Sequence, residues 1–367
     1  MDNQNVAIIG GGIIGLSIAF YLLKSGKTNI TIIERGKVAS ESSHTNAGAI
    51  WPNRAIEPLS LREFASYSLT LFQELMVKDK LEFEFRKNGL IELVYRKEDV
   101  AERYSQIEEA KKAGYDISFL EPEKVSELEP EVNQEIEGAL YSPNDANASS
   151  SLLASELMSR LGQAKISVLE NTEVEGINVA NRRITELITS KGVVTPDLVV
   201  NAAGPWSPSI GNMLSLKIPV EPAKGYILST AERQPLKITR AISDGDVVVT
   251  QQPDGRILIG GTVEFLGFDK AVDPEKVDEI KSKASRMVPH ISDLKITEER
   301  AALRPHSVDR LPIIGSSNRF HNLIYATGHF RRGFELAPAT GKIVAEIIEG
   351  KNPSVDITSM NPVRFNL

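Results

Sequence analysis

Apolar residues near the start of the chain fall into short runs that predict strands separated by a helix. Residues 5–9 are aliphatic and are followed at once by glycines, which is typical of a buried parallel strand. From Ile13, apolar residues recur at a helical spacing until Gly26, the expected residue just past the helix. Residues 29–33 repeat the strand pattern and end at Glu34. The pattern therefore predicts a β-α-β unit.

Further apolar runs predict elements over the rest of the chain. Residues 247–251 and 256–260 flank Pro253-Asp254-Gly255, a turn sequence typical of a β-hairpin. The other predicted strands are residues 81–85, 89–95, 198–201 and 323–327. Helices are predicted at residues 274–288 and 338–348, the second with Gly350 just past its end. The segment after residue 350 is rich in Pro, Asn and Ser and is expected on the surface.

The junction after the first strand carries a glycine motif. Gly10, Gly12 and Gly15 match the spacing G-x-G-x-x-G between a strand and a helix. The first glycine allows a tight turn, the second lets a pyrophosphate approach the backbone, and the third lets helix and sheet pack closely. The helix N-terminus favours phosphate, and the carboxylate of Glu34 can accept hydrogen bonds from both ribose hydroxyls. The motif predicts a dinucleotide site that disfavours NADP and leaves NAD and FAD open.

Composition and charge narrow the class of protein. The 367 residues favour two domains, with one large composite domain as the alternative, and 41% of them are hydrophobic, as in globular proteins. The 42 Lys and Arg against 49 Asp and Glu give a net charge of −7, which is a poor match to the phosphates of nucleic acid. The chain has no Cys, so disulfides and Cys-ligated metals are excluded and a reducing, cytoplasmic location is expected.

One uncharged run could be mistaken for a membrane span or a signal peptide. Residues 6–23 carry no charge, but four glycines within the run would weaken a helix and Asp2 stands where a signal peptide has Lys or Arg. We therefore expect no membrane span.

The sequence contains no metal-binding motif, so no metal is expected.

Three later segments suit a flavoprotein better than a nicotinamide enzyme. Residues 40–48 are small, polar and end in glycine, as a loop around a dinucleotide would be. Residues 198–206 form a buried strand that runs into a tight turn. Residues 328–333 form a loop that leads into a helix, and a helix N-terminus favours the negative charge of reduced flavin.

On these residues the chain resembles the D-amino-acid oxidase family of FAD enzymes, and within it the glycine oxidase branch most closely. The resemblance runs from residue 6 to about residue 350 and is most specific at the last of the segments that carry it. These segments are residues 10–15, 34–35, 43–48, 201–206, 303–305, 311–315 and 328–338.

The resemblance implies an α/β (α+β) fold in which an FAD-binding Rossmann-like domain is interleaved with an antiparallel-sheet substrate domain. The FAD domain would comprise residues 1–80, 145–215 and 300–350. The substrate domain would comprise residues 81–144 and 216–299, and residues 351–367 would form a C-terminal tail. Homo-oligomers occur in the family, so a homo-oligomer is a further expectation.

The resemblance also implies the cofactor and its contacts. FAD is expected to bind non-covalently, because the His that links flavin in some relatives falls at Thr45, one position from His44. The implied cofactor-binding residues are Gly10, Gly12, Ile13, Ile14, Gly15, Glu34, Arg35, Ser42, Ser43, Ala47, Gly48, Ala49, Val174, Ala203, Gly204, Trp206, His329, Phe330, Arg332, Gly333, Phe334 and Glu335.

The implied reaction is oxidation of a small amine or amino acid of the glycine, sarcosine or D-amino acid type. Hydride passes to flavin N5, and the imine product is hydrolysed to a 2-oxo acid. Arg304 matches the family's carboxylate-binding Arg, since a guanidinium fork can hold both carboxylate oxygens. Arg331 is the second candidate, in the loop expected beside the flavin.

Three positions depart from the glycine oxidase pattern. Val248 stands where that branch has a carboxylate-binding Tyr, and Asp246 stands where it has a His. Since Val cannot form a hydrogen bond, glycine as the substrate is in doubt. Glu335 stands where an apolar residue is common, and its carboxylate could disfavour reduced flavin, point outward or bind a substrate amine.

Several functions therefore stay open on the sequence. The first is an FAD oxidase that reduces O₂ to H₂O₂. The second is a dehydrogenase of D-amino acids or proline that passes electrons to a quinone or a partner subunit. The others are a tRNA-modifying flavoenzyme, a flavin-binding subunit without catalysis and an NAD dehydrogenase. The acidic charge argues against tRNA.

Overall fold

The structure, a computed structural model, describes residues 4–26, 28–53, 58–164 and 166–367. Its helices are α1 (Ile13–Ser25), α2 (Leu59–Val77), α3 (Lys97–Lys112), α4 (Pro122–Leu128), α5 (Ser150–Gln163), α6 (Ser207–Met213), α7 (Pro274–Met287) and α8 (Gly333–Ile348). Its strands are β1 (Gln4–Ile9), β2 (Thr28–Ile33), β3 (Ala49–Ile50), β4 (Leu90–Val94), β5 (Ser118–Leu120), β6 (Gly138–Ser142), β7 (Ala146–Asn147), β8 (Ser167–Leu169), β9 (Val174–Ala180), β10 (Arg183–Thr189), β11 (Gly192–Val194), β12 (Leu198–Asn201), β13 (Val220–Thr230), β14 (Ala241–Ser243), β15 (Val248–Gln251), β16 (Ile257–Glu264), β17 (Ile296–Ser307), β18 (Ile313–Ser316) and β19 (Leu323–Thr327).

A six-stranded sheet holds the N-terminal unit in its middle. Its order is β18-β19-β12-β1-β2-β8, and every neighbouring pair is parallel except β18 with β19. Val6 of β1 is opposite Ile30 on one side and Leu198 on the other. Central strands of a parallel sheet are covered on both faces, which explains why these runs are almost wholly aliphatic.

Helices and a small sheet cover the two faces of the six-stranded sheet. Residues of α1, α2, α5 and α8 share one buried apolar cluster with residues of β1, β2, β12 and β19. On the other face of the six-stranded sheet, the antiparallel sheet β11-β10-β9 shares a second buried apolar cluster with residues of β1, β2 and β12. No helix within the described ranges has both the length and the apolar character needed to cross a bilayer.

An eight-stranded sheet makes up most of the remaining structure. Its order is β17-β13-β16-β15-β14-β4-β6-β5, with antiparallel pairs throughout except β14 with β4. Helix α7 packs on one face through Val277, Ile280 and Ala284. The strands of the two large sheets alternate along the chain, as the predicted α/β architecture requires, and that architecture is confirmed. The domain boundaries stay a prediction, and β17 crosses the boundary predicted at residue 300.

Most predicted elements are present, but three expectations are wrong. Residues 81–85 form no strand, because Glu84 has a φ of 53° and so interrupts an extended backbone. Helix α8 begins at Gly333 rather than at Pro338. The C-terminal segment is partly buried, since Met360 and Leu367 pack into the apolar clusters on either side of the six-stranded sheet.

Candidate functional site

The carboxyl ends of β1, β2, β12 and β19 open into one cavity of about 1390 Å³, including its open mouth. Parallel strands bring their carboxyl ends to one edge, so the loops that follow them converge there. The predicted site residues that line the cavity are Gly10, Gly12, Ile13, Ile14, Glu34, Arg35, Ser42, Ser43, Val174, Ala203, Gly204, Trp206, Arg304, His329, Phe330, Arg331, Gly333 and Phe334.

At two positions of the motif the structure shows why only glycine fits. Gly10 has a φ of 109°, and a Cβ there would lie 2.4 Å from the carbonyl oxygen of Ala202. A Cβ on Gly15 would lie 2.0 Å from the carbonyl oxygen of Gly10. Any side chain at these positions would push the turn, the helix and β12 apart. The motif thus brings the N-terminus of α1 to the cavity wall.

The N-terminus of α1 provides donors suited to an anion. Its capping residue, Gly12, has no side chain to satisfy the first backbone N–H groups. The hydroxyl of Ser43 accepts a hydrogen bond from the N–H of Ile13 at 2.9 Å. Both groups lie on the cavity wall, where the helix dipole favours phosphate oxygens. This arrangement fits the pyrophosphate of a dinucleotide.

The carboxylate of Glu34 is fixed at the end of β2. One oxygen accepts from the N–H of Gly11 at 2.7 Å, and the other accepts from the N–H of Gly36 at 2.8 Å. Each carboxylate oxygen has a second lone pair, so both can still accept from ribose hydroxyls. Next to Glu34, the guanidinium of Arg35 stacks on the ring of Trp206 at 3.5 Å and forms one side of the cavity.

Arg304 brings a positive charge into the cavity from β17. The guanidinium donates from Nη1 to the carbonyl oxygen of Thr262 at 2.9 Å. Part of Arg304 faces the cavity, but exclusion of water by the surrounding protein and, to a smaller extent, repulsion from Arg331 together lower its pKa to about 10. Within the described ranges no carboxylate pairs with Arg304. A buried cation in this state is suited to bind an anionic ligand.

Val248 and Asp246, two of the three positions that depart from the glycine oxidase pattern, lie outside the described cavity lining. Val248 is half-buried and packs in an apolar cluster with Trp51, Ala49 and Leu90. Asp246 is exposed and forms an ion pair with Lys283 at 3.2 Å. Neither side chain is therefore placed to bind a ligand in the cavity, whose described lining includes the cationic residues Arg304 and Arg331 as well as Arg35 and Lys37.

Glu335 forms a buried ion pair rather than facing the cavity. Its two carboxylate oxygens accept from Nε and Nη2 of Arg332 at 2.6 and 2.9 Å. One of these oxygens also accepts from the N–H of Trp51 at 2.8 Å. The ion pair ties the start of α8 to the segment that follows β3. The sequence analysis did not predict this ion pair. It assigned Arg332 to the cofactor and therefore left Glu335 without a partner.

Other predicted cofactor contacts also lie behind the cavity wall. Gly15 is covered by Gly10, as described above. The segment after Ala47 turns into the short ladder between β3 and β7, in which Ala49 is opposite Asn147 and the carbonyl of Gly48 accepts from Ala148. The residues that were predicted to contact the cofactor and are outside the described lining are Gly15, Ala47, Gly48, Ala49, Arg332 and Glu335. Their direct contacts stay predictions.

The two histidines singled out by the sequence are in different surroundings. His329 lines the cavity, and burial lowers its pKa to about 3, so the ring is neutral. Its Nε2 lies 3.0 Å from the hydroxyl of Thr340. His44 is outside the described lining, whereas Thr45 is part of it. Within the described ranges, no cluster of His, Asp and Glu is arranged to hold a metal ion.

Some lining residues were missed by the sequence analysis. Thr172 and Glu173 precede β9, and Ser209, Ile210 and Met213 lie on α6. No sequence signal distinguishes them, because they reach the cavity only through packing of α6 and β9 beside β2. Asn46 could have been found, since it lies in the small polar loop already assigned to the site.

Comparison with known proteins agrees with this geometry. The model of the FAD dependent oxidoreductase family matches residues 5–347. The glycine oxidase of Pseudomonas aeruginosa is 29% identical over 361 residues, which cover 96% of this chain and 97% of that protein. The crystal structure of glycine oxidase from Geobacillus kaustophilus has a TM-score of 0.91 at 28% identity and 98% coverage of both chains. L-proline dehydrogenase from P. horikoshii also has a TM-score of 0.91, at 27% identity, with 99% of this chain and 98% of that chain covered.

Proposed function

The chain belongs to the FAD dependent oxidoreductase family, and on this basis we propose that it oxidises a small amino acid whose carboxylate binds Arg304. FAD is its cofactor and supplies a hydride acceptor when bound. The observation that carries the proposal is the guanidinium of Arg304, which lies in the cavity with its pKa lowered and with no carboxylate partner within the described ranges.

The residues of the chain bind and orient rather than attack. The N-terminus of α1 and the hydroxyl of Ser43 hold the pyrophosphate, and Glu34 holds the ribose. Arg304 holds the substrate carboxylate, and Arg331 adds positive charge at the same wall. Fixing the carboxylate restricts the substrate to orientations in which its Cα–H can face the flavin, which is the entropic contribution of such a site.

The overall reaction balances without an acid or base from the chain. The C–H and N–H bonds of the substrate are replaced by a C=N bond, and water hydrolyses this imine to a 2-oxo acid and ammonia or a free amine. Two electrons and two protons pass to O₂, which gives H₂O₂. Glycine, sarcosine and D-amino acids are the substrate classes proposed, in line with the similarity to glycine oxidases.

An anaerobic screen tests this proposal. The holoenzyme is mixed with glycine, sarcosine, proline and D-alanine, and bleaching of the visible absorbance of oxidised flavin reports substrate oxidation. Methylamine and dimethylamine are matched controls that lack the carboxylate of glycine and sarcosine. We expect bleaching by at least one amino acid and none by the matched amines. Bleaching by an amine and its amino acid at equal rates would contradict the role of Arg304.

A second candidate is a dehydrogenase that passes electrons to an acceptor other than O₂. It is supported by the L-proline dehydrogenase structure, which matches this chain with the same TM-score as the glycine oxidase. Admitting O₂ to the reduced holoenzyme separates the two candidates. Rapid return of the flavin absorbance with one H₂O₂ per flavin favours the oxidase. Slow return in air, together with fast return on addition of a quinone, favours the dehydrogenase.

A further inference from the structure

A β-bulge lies beside Arg304 in the eight-stranded sheet. In the pairing of β13 with β16, Lys224 is opposite Glu264 and Tyr226 is opposite Gly261. Thr262 and Val263 therefore lie opposite a single residue, Gly225. Such a bulge bends its strand and redirects the groups at that point.

Thr262 adopts a backbone conformation that is unfavourable for its type. Its φ is 62°, in the left-handed region, where a β-branched residue is a genuine outlier. In this conformation its carbonyl oxygen accepts the hydrogen bond from Nη1 of Arg304 at 2.9 Å. The hydroxyl of Thr262 is buried and has no hydrogen-bond partner within the described ranges. The backbone, rather than the side chain, is thus the part of Thr262 that contacts the guanidinium.

Gly225 provides the space that the guanidinium occupies. On β13, Ala223 is paired with Arg304, and the side chain of Arg304 extends along that strand to Gly225. A Cβ on Gly225 would lie 1.8 Å from Nη1, 2.1 Å from Cζ and 2.2 Å from Nη2 of Arg304. All three atoms belong to the guanidinium at the end of a flexible side chain, so the arginine rather than the backbone would have to move. Any side chain at residue 225 would displace the guanidinium.

From these contacts we propose that Gly225 and Thr262 are positioning residues that hold the guanidinium of Arg304 in the orientation that binds a carboxylate. This inference rests on the proposed function, since that function assigns the carboxylate to Arg304. The bulge, the glycine and the left-handed threonine act together as a cradle for one charged group. Strain of this kind is maintained where a site needs a fixed geometry.

The first test is Gly225→Ala, measured with acetate as a carboxylate that cannot be oxidised. Acetate affinity of the holoenzyme is read from the change in the flavin spectrum. We expect about a 10- to 100-fold loss of affinity, because the charge-assisted hydrogen bonds are misdirected. Gly176→Ala is the matched control, since it is a strand glycine whose added Cβ meets only Ile188, at 3.5 Å. Unchanged acetate affinity in Gly225→Ala would overturn the proposal.

A double-mutant cycle on thermal unfolding separates positioning from a general role in the sheet. Gly225→Ala should lower the Tm by several degrees when Arg304 is present. In the Arg304→Ala background the overlap is gone, and an alanine in a strand is no worse than a glycine, so the same change should leave the Tm equal or higher. An equal loss in both backgrounds would mean that Gly225 serves the sheet and not Arg304.

Substitutions at residue 262 test whether the carbonyl is the positioning group. Thr262→Gly favours the left-handed conformation and Thr262→Val preserves the shape of the side chain, so both should keep acetate affinity within about twofold. Thr262→Pro excludes a positive φ, so this variant should lose acetate affinity while FAD stays bound. If Thr262→Val lost affinity as strongly, the hydroxyl would be the active group and the carbonyl assignment would be wrong.

The acetate and Tm measurements do not require turnover, so they separate this inference from the proposed function. If no amino acid bleaches the flavin but Gly225→Ala still weakens acetate and couples to Arg304, the proposed reaction fails and the cradle stands. If amino acids bleach the flavin and Gly225→Ala binds acetate normally, the reaction stands and the cradle fails.

Discussion

The lowered pKa of Arg304 indicates that its positive charge is costly to the folded protein. Its pKa is lowered to about 10 because the protein around it provides little solvation, and Arg331 repels it. A substrate carboxylate would relieve both effects at once. A functional residue that is costly to the folded protein without its ligand is common at binding sites.

We expect Arg304→Ala to retain FAD and to raise the KM for amino-acid substrates. Loss of charge-assisted hydrogen bonds should cost about 2–4 kcal/mol, which corresponds to tens- to hundreds-fold in KM. Steady-state kinetics and the flavin content of the purified variant provide the measurement. Arg319→Ala, at an exposed arginine, is the control. A normal KM for every amino-acid substrate would remove Arg304 from the site.

Asp145 is another residue whose pKa is shifted by burial. Its side chain is fully buried, and desolvation raises its pKa from the ordinary value of 3.8 to about 8, although Asn53 donates to it from its backbone at 3.2 Å and from Nδ2 at 2.7 Å. The folded protein therefore holds a proton that the unfolded chain releases near pH 3.8. Folding stability should fall as the pH rises between these two values.

We expect Asp145→Asn to remove this pH dependence. An asparagine cannot ionise, but its carbonyl oxygen can still accept from Asn53. The Tm of the variant should exceed that of the natural protein by several degrees at about pH 9, and the difference should shrink steadily as the pH falls toward 3.8. Asp116→Asn, at a residue whose carboxylate accepts from Asn144, is the control. If the Tm of Asp145→Asn declined with pH in parallel with the Tm of the natural protein, Asp145 would be excluded as the titrating group.

At the scale of elements, helix α8 shows why part of the fold could not be predicted from sequence. Pro338 lies inside the helix, where a missing N–H and a ring normally end or bend it. The hydroxyl of Ser68, on α2, donates to the carbonyl of Glu335 at 2.6 Å and accepts from the N–H of Ala339 at 3.3 Å. It thus replaces a helical hydrogen bond with a bridge from another helix. Because Ser68 is 270 positions from Pro338, the sequence around Pro338 gives no sign that the helix continues through it.

We expect Ser68→Ala to destabilise the protein by about 1–3 kcal/mol, because two buried backbone groups lose their partner. Ser68 is fully buried, so water cannot replace the hydroxyl without a cavity. Urea unfolding measures the loss. Ser155→Ala removes a hydroxyl that donates within α5 in an exposed position and is the matched control. Equal stability of the two variants would show that α8 does not need the bridge.

Where local patterns predicted an element correctly, there is a physical reason. The hairpin at Pro253-Asp254-Gly255 is present because its turn is determined by adjacent residues, with Gly255 at a φ of 87°. The glycine motif and the loop at residues 40–48 were identified from their residue types, whereas Arg304 was identified through the resemblance to the D-amino-acid oxidase family. The ion pair of Glu335 with Arg332, the bulge at Thr262 and the lining residues on α6 arise from packing between distant segments. None of these has a pattern of its own.

At the scale of the whole molecule, the cavity joins segments from most of the chain. Its lining residues lie within residues 9–14, 33–46, 172–174, 202–213, 304–305 and 326–334. A ligand that contacts all of them binds the folded chain and not the unfolded one. The cofactor should therefore act as a stabilising element of the fold as well as a reagent.

We expect removal of FAD to lower the Tm and added FAD to restore it in proportion to the logarithm of its concentration. At 100 times its Kd, FAD should contribute about 2.7 kcal/mol. Thermal unfolding of the apoprotein with increasing FAD provides the measurement, and NAD is the control ligand. If NAD raised the Tm as much as FAD, the site would bind the shared adenosine diphosphate portion without contacting the flavin.

The order of strands in the six-stranded sheet has a consequence for synthesis of the protein in the cell. Val199 of β12 is opposite Leu323 of β19, and Val6 of β1 is opposite Leu198 of β12. A ribosome must therefore synthesise β19 before the nascent chain can complete the sheet. Until then β12 lacks the strand that pairs with it on one side, and the cavity next to the N-terminal glycine turn lacks the lining that follows β19. The cofactor can be enclosed only after the lining residues between Ala326 and Phe334 have been synthesised, so cofactor binding comes late in the folding of the early segments.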